Sequence, residues 1–100
     1  MRVPRYLFSG VLPLLLGAAP SGAADDFEAR RAAALFSTAL SLDADNPYLN
    51  LNNAILHDYH LGDVMKARQY YNSFLRLSAN RRELLDEYKE VQTRLEIISR

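Results

Sequence analysis

The sequence predicts an all-α domain, and three observations carry that expectation. From residue 25 onward, apolar residues recur at steps of three and four in four successive segments. No stretch of that region alternates apolar and polar residues with the period of two that a half-buried strand requires. Of four glycines and four prolines, only Gly62 and Pro47 lie beyond residue 24, so the region has few breaks.

Residues 1–24 read differently, as a secretory signal peptide. Arg2 and Arg5 make a positive start, and Tyr6 to Ala19 follows without a charge. Those 14 residues are short of the roughly 20 that a bilayer span needs. The small residues Ser21, Gly22, Ala23 and Ala24 offer a cleavage site, and Asp25, Asp26 and Glu28 come directly after it. The expected mature chain is 25–100, exported and periplasmic; left uncleaved, the segment would anchor it to the membrane.

The first helix is expected from about Asp26 to Leu42, capped by Asp25 or Asp26, with Ala29, Ala32, Phe36, Ala39 and Leu40 on one face. Asp43-Ala44-Asp45-Asn46-Pro47 ends it. Asn46 is a good cap for the second helix, and Pro47 suits its first position, where a missing N–H is harmless. The second helix runs from Pro47 to Leu61. Its apolar arc of Tyr48, Leu51, Ile55, Leu56 and Tyr59 is broad enough to meet more than one neighbour. Gly62 supplies a left-handed stop and Asp63 a cap for the third helix, Val64 to Ser78, whose stripe includes Val64, Ala67, Tyr70, Tyr71, Phe74 and Leu77. The fourth helix, Arg82 to Ser99, carries one seam of Leu84, Tyr88, Val91, Leu95 and Ile98. Glu90 and Arg94 stand four apart on what reads as its charged outer face. Short connections make successive helices antiparallel neighbours.

Composition removes several functions. Twelve Lys and Arg balance twelve Asp and Glu, which leaves no electrostatic basis for binding nucleic acid. The absence of cysteine excludes disulfides, thiolate metal sites, thiol nucleophiles and covalent haem attachment. The serines have no histidine at a recognisable spacing, so no catalytic triad is supported. No cofactor is expected.

The first and third helices superimpose by sequence. Ala32-x3-Phe36-x2-Ala39-Leu40-x-Leu42 recurs as Ala67-x3-Tyr71-x2-Phe74-Leu75-x-Leu77, an offset of 35 residues. This resembles the tetratricopeptide repeat, a helix–turn–helix unit of about 34 residues with a small residue and an aromatic four apart in its second helix. In those terms residues 25–46 are a partial repeat, 47–80 a full one and 81–100 a capping helix. Leu51 matches the large residue opening the repeat, Gly62-Asp63 the inter-helix turn, Ala67 the small packing residue and Tyr71 the aromatic. Ile55 stands where the family prefers a small residue, Asp58 where an aromatic is usual, and Ala44 replaces a proline of the connection. The resemblance implies packing roles for Ala32, Phe36, Ala39, Leu51, Gly62, Ala67, Tyr71 and Phe74.

The polar row Asn46, Asn50, Asn53, His57 and His60, spaced four, three, four and three, lies along one side of the second helix. Asn is a poor helix former, and Asn46 alone has an evident capping use. First helices of tetratricopeptide repeats line a peptide groove, so the resemblance makes Asn50, Asn53, His57 and His60 candidate partner-binding residues. His57 and His60, with Asp63 beyond the turn, also suggest a metal or small-ligand site, although two histidines fall short of the three or four ligands of a stable zinc centre. The expected function is therefore a non-catalytic adaptor for a protein or peptide segment in the bacterial envelope, of the kind that assists pilus or secretion-complex assembly. The alternative is a small helical protein that self-associates through its first and fourth helices.

Overall fold

Asn46 and Pro47 open the helix around which the others are arranged. The Asn46 side-chain oxygen accepts from the backbone N–H groups of Tyr48 (2.9 Å) and Leu49 (3.2 Å), satisfying donors that the first turn leaves free. In the computed structural model, which describes the backbone of residues 22–100 and side chains from Phe27 on, the chain forms four packed helices. These are α1 (Gly22–Leu42), α2 (Pro47–Ile55, prolonged by a π-helical turn, Leu56–His60), α3 (Val64–Ser78) and α4 (Leu85–Ile98, entered through a 3₁₀ turn, Arg82–Leu84). The expected signal peptide and its cleavage site lie almost wholly outside the described residues.

Helix α1 is described from Gly22, ahead of the expected Asp26, and the expected cap at Asp25 or Asp26 lies outside the described side chains. The other boundaries fall close to the expected ones. Gly62 has φ +67°, the left-handed conformation that suits a residue without Cβ, and Asp63 caps α3 by accepting from the Lys66 N–H at 3.1 Å.

Two apolar clusters lie on opposite sides of α2. On one side Leu51, Ala54 and Ile55 meet Ala67, Tyr71 and Phe74 of α3 and Leu84 and Val91 of the last segment. On the other side Leu56, flanked by Leu49 and Leu61, meets Ala29 and Phe36 of α1, with Ala32 and Ala33 beside them. The breadth of the apolar arc on α2 thus serves two neighbours. The repeat-matched Phe36, Leu51, Ala67, Tyr71 and Phe74 are buried, while Ala32 and Ala39 are half-buried. Among the described residues, no helix is long and apolar enough to cross a membrane.

Candidate functional site

The polar row does not form an open face. Asn50, Asn53 and His57 are buried, Asn53 to 1% exposure, and His60 is half-buried. The reason is α1. Asn53 lies between Leu49 and Leu56 on the side of α2 that α1 covers, so a row expected to look out to solvent forms an interior wall instead. Asn50 has a purely local use. Its side-chain amide donates to the carbonyls of Asn46 (2.9 Å) and Ala44 (3.1 Å), holding the connection between α1 and α2.

Four other side chains of this stretch each leave one polar atom without a partner. Asn52 Oδ1, Asn53 Oδ1, His57 Nδ1 and His60 Nε2 are buried polar atoms without a hydrogen-bond partner, and all four fall within residues 52–60. An unpaired buried group of this kind costs about 1–3 kcal/mol. The His57 ring stacks on Tyr70 of α3, with centroids 5.6 Å apart and planes 18° from parallel. Burial holds the His57 pKa below its ordinary value; Lys66 acts in the same direction, and Asp63 opposes them. Asp63 itself is turned to the α3 N-terminus, and among the described residues no three His, Asp or Glu side chains gather at a possible metal position.

A second polar constellation, which the sequence reading missed, sits on the other side of the π-helical turn. Asp58 accepts from Arg94 Nε at 2.7 Å, from Arg94 Nη2 at 2.8 Å and from the Tyr71 hydroxyl at 2.8 Å. Its side chain is 1% exposed and that of Arg94 14%. The guanidinium also lies 4.7 Å from the centroid of the Tyr59 ring. Burial raises the Tyr71 pKa, and the neighbouring Asp58 carboxylate adds to the shift; the hydrogen bond to Asp58 raises that of Arg94. Arg94 therefore points inward and ties α4 to α2, rather than serving an outer charged face. The signal was present in Asp58, a charge set among Ile55, Leu56 and Tyr59, but its partner is 36 residues away.

With this geometry in view, comparison with known proteins adds no relative: no family model, no curated protein and no solved structure matches the chain. The described residues form a small all-helical domain of four helices whose unpartnered buried polar atoms lie along and beside the π-helical turn.

Proposed function

We propose that this chain is a non-catalytic protein–protein interaction module of tetratricopeptide type, exported to the bacterial envelope, where it holds a segment of another protein during assembly of a pilus or secretion complex. The observation that supports this reading is the run of unpartnered polar atoms at Asn52, Asn53, His57 and His60. A partner segment bearing N–H or O–H donors pairs the acceptors among them, and each bond made in place of a buried vacancy is worth about tenfold in affinity. In the free protein α1 closes the seat. Its covering face is built from Ala29, Ala32 and Ala33 around the single large side chain Phe36. Small side chains make few dispersion contacts, so this helix yields to a competitor more readily than α3 does.

Two measurements on the exported protein in its native host test the proposal. A photocrosslinkable residue at position 60 should give an adduct with another protein, whereas one at Gln92, on the exposed side of α4, should not. Asn53→Leu should weaken the adduct about tenfold while leaving the urea midpoint unchanged or higher, because it replaces an unsatisfied amide by an apolar group of similar size. An adduct indifferent to Asn53→Leu, or none at position 60, refutes the reading.

A further inference from the structure

The outer face of α3 carries a separate inference, which does not rest on the adaptor reading. Residues 64–82 hold five of the ten basic residues from Phe27 onward and none of the ten acidic ones. The five are Lys66, Arg68, Arg76, Arg81 and Arg82. The zero formal charge of the chain therefore hides a segregation of sign, with this segment at one extreme. All five cations are exposed, and among the described residues none is paired with a carboxylate. Asp63 and Glu83 bound the segment, and Asp63 is turned to the α3 N-terminus, where it accepts from the Lys66 N–H. Solubility alone does not call for one sign, since a mixed surface serves it equally well. Helix α4 is mixed in this way, with Asp86, Lys89, Glu90 and Glu96 along it.

We propose that the outer face of α3 and the connection after it rest on an anionic lipid surface, with these cations at the level of the head-group phosphates. The form of the face selects the lipid over an acidic protein segment. Met65, Arg68, Gln69, Asn72 and Arg76 share the side of α3 opposite Ala67, Tyr71 and Phe74, a convex row rather than a groove that seats a peptide. The aromatic residues of α3 are turned inward, Tyr71 and Phe74 into the core and Tyr70 against His57, so the outer face has no aromatic anchor of the kind on which protein interfaces centre. A lipid surface requires neither groove nor anchor, because a cluster of basic side chains is itself the recognition element. Exposed apolar side chains stand near both ends of the basic run, Met65 at 72% and Leu85 at 50%, in position to reach past the head groups. Helices α1 and α3 flank α2 on opposite sides, so adsorption through α3 leaves α1 facing away from the lipid.

Co-sedimentation of the purified protein with vesicles tests this, comparing equal parts of phosphatidylglycerol and phosphatidylcholine with phosphatidylcholine alone. One cation at an anionic surface is worth about fivefold in partitioning. The protein should therefore prefer the mixed vesicles by about a hundredfold or more in roughly 0.1 M salt, and lose most of that preference in roughly 0.5 M salt. Lys66→Gln/Arg76→Gln should lower the preference about 25-fold. Arg31→Gln, at an exposed cation of α1, should change it by less than about twofold. These side chains are exposed, so circular dichroism should show the helices intact in each variant. Equal partitioning on the two vesicles overturns the proposal, as does a preference that ignores the Lys66/Arg76 pair. Indifference to both vesicles, together with binding of polyglutamate that depends on the same pair, overturns it in favour of an acidic protein segment.

Discussion

Replacing Arg94 by methionine removes the positive charge from the Asp58–Arg94 pair and keeps much of the side-chain volume. The carboxylate then loses the bonds from Nε and Nη2 and retains the one from the Tyr71 hydroxyl, at a position where its side chain is 1% exposed. Removing one partner of a buried pair typically costs 3–5 kcal/mol, because the remaining charge stays out of water without compensation. A domain of this size has a total stability of roughly 4–12 kcal/mol at about 0.05–0.15 kcal/mol per residue. Arg94→Met therefore removes about a quarter or more of the stability and loosens α4 from α2. Urea titration followed by circular dichroism at 222 nm measures the loss. The triple variant Asp58→Leu/Tyr71→Phe/Arg94→Met should recover most of it, since apolar groups in the same space carry no desolvation penalty and no hydroxyl is left without its acceptor. A loss below about 1 kcal/mol for Arg94→Met, the range of an exposed pair, would show that water screens the ion pair and would refute the reasoning.

Further expectations follow from single positions. Ala67 is fully buried on the α3 face that meets α2, so Ala67→Leu should cost about 1–3 kcal/mol by overpacking, read as a lowered urea midpoint. The folded-state pKa of His57 lies below its ordinary value, so the unfolded chain binds more protons in mildly acidic solution. Stability should be fully present above about pH 6.5 and fall as the pH drops through that value towards the lowered one; His57→Gln should flatten the difference in urea midpoint between pH 7.5 and 5.5. Gly62→Ala should cost about 1 kcal/mol from backbone conformation alone, because no atom lies within 4 Å of the added Cβ, and Gly62→Asn should cost less.

The parts of this fold that were legible in the sequence are those whose cause is local. Asn46-Pro47 and Gly62-Asp63 set helix ends by contacts within three residues, and those ends fall where expected. Periodicity also identified which residues share a side of α2. It did not say which neighbours cover that side, and so the row from Asn50 to His60 was read as open when α1 and Tyr70 of α3 lie against it. The purpose of Asn50 was hidden for a related reason, since its partners are backbone carbonyls at Ala44 and Asn46 rather than side chains with a readable pattern. Arg94 fitted a helical four-residue charge pair equally well in sequence, and only the packing of α4 on α2 distinguishes its inward orientation.

The separation between Asp58 and Arg94 sets an order of events in time. Asp58 leaves the ribosome 36 residues before its counter-charge. At about 5–20 residues per second, that interval is on the order of 2–7 s. Until it has passed, the Asp58 carboxylate has only the Tyr71 hydroxyl to pair it, so closing α2 and α3 around it is disfavoured by the cost of an uncompensated buried charge. The nascent chain thus stays more open at this end of α2, and the core closes once Arg94 has been made. The ion pair is thus a timer for folding as well as a tie between helices.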